Sequence, residues 1–388
     1  MPLCNNIGHV RGDDPFSWIG LGVEMKDDRL YLDHAATTPV LAAVRAAVAE
    51  AMAHWANPSS PHADGRASRA MLEDARARIA RALNFDGMII LTSGATESLH
   101  MAFNRAPVDA RFVSAVEHDA LQRMGEGSYV LPVREDGLVA EDALAGRLGA
   151  LAAKRPLLAI QSVNNETGVI QPLDALYPII QAAGGLLLAD CAQSAGKLAL
   201  PEADFVVVSG HKLGGPPGVG ALLLRDPATL SAVGGQEQGY RPGTENVPGA
   251  VGLAVALEQG RNWVQRAADL RAHLDSSIES MGGEIVAKRS PRLATIASYR
   301  MPGVPANAQL IQFDMAGISV SAGSACSSGS LKTSHVLAAM GWDEVAAREV
   351  VRVSFGPETS RADVYRFTEA WQRIAQDGRQ RQKQMTGA

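Results

Sequence analysis

The stretch GLLLADCAQSAGKLALPEADFVVVSGHK, residues 185–212, holds two short apolar runs that each close on polar groups. The first ends at Asp190; the second ends at Ser209, with His211 and Lys212 just beyond. Neither run alternates apolar with polar residues, so each reads as a strand covered on both faces. Similar runs stand upstream at MIILT (88–92), RFVSAV (111–116) and LLAIQSV (157–163). Helical spacing fills 140–153 and 173–183 between them, and Arg66 to Leu83 reads as an amphipathic helix. Short doubly covered strands separated by helices predict an α/β fold with a mainly parallel sheet flanked by helices.

A long helical pattern at 250–282 reads as one element able to join two domains. After it come a weaker strand pattern at 292–299, a Ser/Gly-rich loop at 321–330, a helix, the strand VVRVSF (350–355) and a final helix. No internal repeat stands out.

The 388 residues carry a net charge of −5, which provides no basic field for nucleic acid or an anionic membrane. No apolar run approaches the roughly 20 residues of a membrane span. Residues 1–28 are polar, contain Gly and Pro and show no periodicity, so they read as an extension, expected to be poorly ordered, with Met25 as a second candidate start; without a basic start followed by an apolar segment, no secretory signal is expected there. The three cysteines, Cys4, Cys191 and Cys326, lack zinc-site spacing and cannot build a disulfide framework. Free thiols suit a reducing compartment, and the cytoplasm is the expected location.

Lys212 follows a buried strand in Ser209-Gly210-His211-Lys212, where desolvation would turn its amine into a nucleophile. A surface lysine on a Gly-rich turn would look the same in isolation. Asp190 ends the neighbouring strand, and ligands of α/β sheets bind at strand C-termini. Pyridoxal 5′-phosphate needs both: an amine for a Schiff base, and a carboxylate holding its ring nitrogen protonated so that the ring serves as an electron sink. A helix-capping aspartate is the plainer alternative. Thr92-Ser93-Gly94-Ala95-Thr96-Glu97 follows a strand and opens a helix, a natural seat for phosphate. A simple helix cap explains those residues equally well, but the three features together point to the cofactor.

From about Tyr31 to Phe367 the chain resembles the cysteine desulfurases (NifS/IscS-like), in the aminotransferase class V branch of fold-type-I PLP enzymes. The matching segments, in order, are YLDHAATTP, NPSSPHADGR, TSGATES, EHDA, NNETG, DCAQSAGK, SGHK, RPGTEN and SAGSACSSGS. The resemblance implies a large PLP-binding domain at 41–265 and a smaller α+β domain made of 29–40 and 266–388 that carries the cysteine loop. It implies that Lys212 binds the cofactor covalently and shuttles the Cα proton. His118 would stack on the ring and take the substrate thiol proton, Asp190 would pair with the ring nitrogen, and Gln193 with its phenolic oxygen. Ala95, Thr96, Ser209 and His211 would hold the phosphate, with Thr244 completing the cup from a neighbouring subunit of a homodimer. Asn165 would contact cofactor and substrate, and Arg352 would grip the substrate carboxylate bidentately. A core histidine, a helix-capping glutamine, a structural ion pair and turn residues are the plainer readings of His118, Gln193, Arg352 and of Asn165 with Thr244.

Cys326 separates this reaction from others on the same cofactor. It sits in the small, polar stretch SAGSACSSGS (321–330), which suits an exposed, mobile thiol. Its thiolate would attack the sulfur of bound L-cysteine, become a persulfide and pass sulfur to an acceptor protein or thiol, leaving L-alanine. Iron–sulfur cluster assembly, tRNA thiolation and other cofactor pathways all stand as destinations; the tail QRQKQMTGA does not resemble a scaffold-docking tail. A class V aminotransferase and a selenocysteine lyase are the nearest alternatives. A partner-binding scaffold with a relic pocket is a third.

Overall fold

The computed structural model describes residues 29–151, 154–323 and 333–386. The predicted extension 1–28 and Cys326 therefore lie outside the described residues. The chain enters through β1 (Leu30–Tyr31) and helices α1 (Ala42–Ala53) and α2 (Ala63–Leu83). It then alternates β2 (Met88–Thr92), α3 (Ala95–Arg105), β3 (Ala110–Ser114), α4 (Asp119–Met124), β4 (Tyr129–Leu131), α5 (Glu141–Ala150), β5 (Pro156–Gln161), α6 (Leu173–Ala182), β6 (Leu186–Asp190) and β7 (Phe205–Ser209). β8 (Gly220–Leu224) closes this layer, and α7 (Val247–Glu258) and α8 (Asn262–Ser280) lead out of it. The rest is β9 (Glu284–Ile285), β10 (Ile296–Arg300), α9 (Ala306–Met315), β11 (Ile318–Ser319), β12 (Ser321–Ala322), α10 (His335–Ala339), α11 (Glu344–Ala347), β13 (Val350–Ser354) and α12 (Arg361–Thr386).

Seven strands form one sheet in the order β2-β8-β7-β6-β5-β3-β4, parallel except for β8, which runs antiparallel to both neighbours. Successive residues along β5, β6 and β7 face opposite cores. Leu187, Ala189, Val206 and Val208 pack towards α2, α6 and α7, whereas Leu186, Leu188, Phe205 and Val207 pack towards α3 and α4. Both faces are apolar because both are covered, which is why the sequence shows runs instead of alternation. The antiparallel β8 was not anticipated. It reaches its slot because Gly220 has no side chain: a Cβ there would lie 2.6 Å from Val208 O and 2.7 Å from Gly94 Cα.

A second, antiparallel sheet has the order β12-β13-β10-β9 and is covered by α8, α9 and α12. Its core holds Trp371 and the stacked rings of Phe313 and Phe367, with centroids 5.0 Å apart. β1 pairs in parallel with β11, so the segment at 31–39 starts beside this second core. It then crosses to the first sheet, where Thr38 N donates to His211 O at 2.8 Å.

The pattern at 250–282 is two helices instead of one. Gly260, at φ +78°, occupies the left-handed region and ends the regular helix between Glu258 and Asn262. α7 is buried nearly throughout against α1 and α2, and α8 packs on the second core. Periodicity continued across the glycine because both helices have an apolar face; the turn that reorients the chain leaves no mark in that period.

Gly220→Ala is expected to destabilise the protein by about 1–3 kcal/mol, because backbone on both sides must move to admit the methyl group. A urea titration followed by circular dichroism checks this, and an unchanged midpoint would contradict it.

Candidate functional site

The parallel strands β5, β6 and β7 end side by side, with Gln161 paired to Asp190 and Asp190 to Val207. Inside a doubly covered sheet the backbone is fully paired and a charge has no partner, so polar side chains collect where the strands stop. A cavity of about 520 Å³ opens there. Its walls bring together Ala95, Thr96, His118, Asn165, Asp190, Gln193, Ser209, His211 and Lys212. Residues scattered over more than a hundred positions thus meet in one place. Among the described residues, two predicted ones are absent from those walls, Thr244 and Arg352.

Asp190 is buried, and burial raises its carboxyl above the usual range, opposed by the Ala192 N–H (2.9 Å) and the charges of His118 and Lys212. Such a carboxyl needs a cationic partner to ionise fully. Lys212 ends the short 3₁₀ turn Gly210–Lys212, and its Nζ donates to Ala35 O at 2.5 Å and Ala36 O at 2.8 Å. Gln193 donates from Nε2 to the same Ala35 carbonyl at 2.9 Å, and its buried Oε1 has no partner among the described residues.

His118 is the N-cap of α4, with Nδ1 accepting from Ala120 N at 3.2 Å. That bond commits Nδ1 as an acceptor and places the ring proton on Nε2 in the neutral form. Burial lowers its pKa, while the charge of Asp190 opposes the shift. His211 is likewise lowered, to about 4, by burial and by Lys212, and its Nδ1 lies 3.2 Å from Thr37 Oγ1. Gly94 caps α3 without a side-chain acceptor, so the first-turn N–H groups beside Ala95 and Thr96 are open to an anion. Glu97 in that turn is neutralised by Arg241 at 2.9 Å, which comes from RPGTEN.

Arg352 points from β13 and is buried. Its Nη2 pairs with Asp33 Oδ1 at 2.7 Å and its Nη1 donates to Asn165 O at 2.9 Å. Nε has no partner among the described residues. The ion pair anticipated as the plainer reading is therefore present, and it ties Arg352 to the backbone of a cavity residue. Thr244 is exposed on a loop leading into α7, away from the cavity of its own chain. Cys191 is buried with its thiol raised to about 12 by burial, as expected of a structural cysteine.

Two functional neighbours went unread in the sequence. Glu117 is wholly buried, and burial lifts its carboxyl well above the usual range. It accepts from Ser114 Oγ and from Gln161 N at 2.9 Å, fixing the base of the loop that presents His118. Its adjacency to His118 in EHDA was the available signal. Lys197, the last residue of DCAQSAGK, is buried in the wall of a neighbouring cavity of about 410 Å³ that Lys212 also lines. Burial and the charge of Lys212 bring its pKa down to about 7.

The donor set fits pyridoxal phosphate. An amine, a buried carboxyl, an orphaned amide oxygen and uncapped helix N–H groups face one cavity from different sides. Among the described residues no cluster of His, Cys, Asp or Glu suits a metal ion, and no helix is long and apolar enough to cross a membrane.

The aminotransferase class-V family profile matches residues 30–367. An IscS-like cysteine desulfurase of Mycobacterium tuberculosis is 37% identical over 86% of this chain and 93% of its own length. A cysteine desulfurase of Gluconacetobacter diazotrophicus is 36% identical, over 87% of this chain and 91% of its own. Among solved structures, a NifS-like protein from Rickettsia africae superposes with a TM-score of 0.82 at 29% identity, covering 89% of this chain and 99% of that one.

Lys197→Met is expected to raise stability most below pH 7. There both the folded and unfolded lysine hold a proton, and the folded state bears the whole cost of burying it. As pH rises from about 7 towards 10.5, the native amine gives up its proton before the unfolded one, the wild type recovers, and the gap closes. Urea denaturation of both proteins across that range measures it; a gap that widens with pH would contradict the assignment.

Proposed function

We infer that this chain, which belongs to the aminotransferase class-V family and within it to the cysteine desulfurases, is a PLP-dependent cysteine desulfurase. It converts L-cysteine to L-alanine and delivers sulfur to an enzyme cysteine and then to an acceptor. The observation that carries the reading is the single cavity into which Lys212, Asp190, His118 and the N-terminus of α3 all converge.

When bound, the cofactor supplies a ring that accepts the electron pair left behind as a proton leaves the substrate Cα. The chain's residues do the rest. Lys212 holds the cofactor through its amine, yields that place to the substrate amine, and then moves the proton from and back to Cα. Asp190 keeps a proton on the ring nitrogen. This costs least when its buried carboxylate is matched by that cation. His118 lines the cavity with Nδ1 accepting from Ala120 N–H and its proton on Nε2, so taking up the substrate thiol proton requires the ring to release Ala120 and receive the proton at Nδ1. Asn165 orients the substrate, and Arg352 turns towards its carboxylate with the unpaired Nε as one available donor. The Cys326 thiolate attacks the substrate sulfur; the Cβ–S bond breaks as the new S–S bond forms, its electron pair leaves on Cβ, and Cβ gains a proton, so the enzyme thiol is oxidised to a persulfide as the substrate is reduced to alanine.

We also propose a homodimer in which Thr244 reaches the partner's phosphate seat, since it is exposed on its own chain. A cofactor domain at 41–265, a smaller domain at 29–40 with 266–388, and a cytoplasmic location belong to the same reading. A protein or small-molecule thiol is the proposed final acceptor.

Holoenzyme incubated with L-cysteine and a thiol reductant is expected to release alanine and sulfide in equal amounts; pyruvate or amino-group transfer would contradict the assignment. Cys326→Ala is expected to keep the yellow chromophore and its response to L-cysteine but to release no sulfide. Lys212→Ala is expected to lose the borohydride-fixable cofactor, which mass spectrometry of the reduced protein reads directly.

A further inference from the structure

Beside Lys212 lies a second cavity, of about 410 Å³, and that lysine is the residue it shares with the first. The mechanism uses nothing else in it. Lys197 lines it from the turn that follows β6 and is only 7% exposed. Its backbone is fixed: Lys197 N donates to Ser194 O at 2.9 Å, and Leu198 N donates to the same carbonyl at 2.8 Å. Gly196, at φ +70°, makes the turn possible, and a Cβ there would stand 3.0 Å from Leu213 Cδ2. The Lys197 side chain has no hydrogen-bond or ion-pair partner among the described residues. An ammonium so buried is costly when nothing neutralises it, so the fold holds a charge that only an added group can match.

The groups around Lys197 favour a negative occupant. α8 opens at the cavity, where Gly260, Asn262 and Trp263 form part of the wall. Its N-cap, Arg261, supplies no side-chain acceptor, so first-turn N–H groups are left to an outside partner. Arg266 also lines the cavity and donates from Nη2 to Pro357 O. Arg266 and Glu358 are both exposed there and offset each other, which leaves Lys197 as the buried excess charge. Two further titratable groups act on Lys197, His34 and Lys212. Burial and the charge of Lys197 bring His34 down to about 4, so it is neutral where Lys197, itself lowered to about 7 by burial and then by Lys212, titrates. The remaining wall is largely apolar, with Leu41, Leu213, Ala256 and the partly buried Trp263. An inorganic anion would leave that surface bare, whereas a carboxylate with a hydrocarbon body covers it.

We propose that this cavity binds a small organic carboxylate, with its charge on Lys197 and the first turn of α8 and its hydrocarbon body against Leu41, Leu213, Ala256 and Trp263. Arg352 and Asn165, to which the proposed mechanism gives the substrate, are not among these walls. The occupant is therefore a second molecule, held next to Lys212 and distinct from the substrate.

Holoenzyme is titrated with butyrate in a calorimeter at pH 6 and at pH 8, in two buffers of different ionisation enthalpy. Lys197 carries its proton at pH 6 and has lost most of it at pH 8, and a bound carboxylate restores it. Affinity is expected to fall about tenfold between the two, with a proton taken up from the buffer at pH 8 but not at pH 6. Lys197→Met is expected to weaken binding at pH 6 by about tenfold or more and to abolish both pH effects. Acetate, with its shorter body, is expected to bind about tenfold more weakly than butyrate, and inorganic phosphate no better than acetate. Arg352→Gln weakens the substrate seat and is expected to leave butyrate affinity within about threefold. Absence of butyrate binding, affinity independent of pH, phosphate binding as tightly as butyrate, or binding lost with Arg352 but kept in Lys197→Met would each overturn the proposal. Proton uptake by the unaltered protein needs no variant, so the test stands even where a substitution fails to fold.

Discussion

A parallel sheet covered on both faces leaves no place inside it for an unpaired charge, and the rest of this structure follows from that constraint. Leu186 to Ala189 and Phe205 to Val208 satisfy it with aliphatic and aromatic side chains alone. Asp190 comes at the first position where the ladder ends and free N–H groups and cations are within reach. Its carboxyl is still costly to ionise there, as the upward shift on burial shows. That cost makes the site receptive to a cationic ring nitrogen. Asp190 thus stands where the fold can tolerate charge but cannot by itself neutralise it.

The segment at 31–39 transmits this arrangement to the second core. Its Ala35 carbonyl receives both Lys212 Nζ and Gln193 Nε2, its Asp33 carboxylate receives Arg352, and Ala35 N donates to Ser354 Oγ at 2.8 Å. One short stretch thus touches Lys212, Gln193 and Arg352, three residues to which the proposed mechanism gives the cofactor and the substrate. Relative movement of the two sheets would disturb all three together. The carbonyls that hold the Lys212 amine belong to Ala35 and Ala36 of YLDHAATTP, a role that the side chains of that motif do not reveal.

Local pattern carried much of the site. Lys212, Asp190 and the opening of α3 were legible because each stands directly after an apolar run, and strand ends are where such residues converge. His118, Gln193 and Asn165 carry no such mark and were reached only through their motifs, and Arg352, which lies in none of those motifs, only through the resemblance as a whole. Arg352 illustrates the limit: its sequence neighbours are apolar, and only the folded chain shows it bonded to Asp33 and to the carbonyl of Asn165. Glu117 and Lys197 passed unread because their importance is their burial, a property of everything packed around them.

By itself the sequence determined the layered α/β character, the succession of buried strands and helices along the chain, and the chemistry available at the strand ends, since these depend on nearest-neighbour pattern and residue type. Only the tertiary structure decided that β8 runs antiparallel into the middle of the sheet, that Gly260 divides one helical period into two helices, and that Glu166 bonds Ser334 beside Gly323. Each of these is a contact between distant parts of the chain. Periodicity reports which face of an element is covered; it does not report by what.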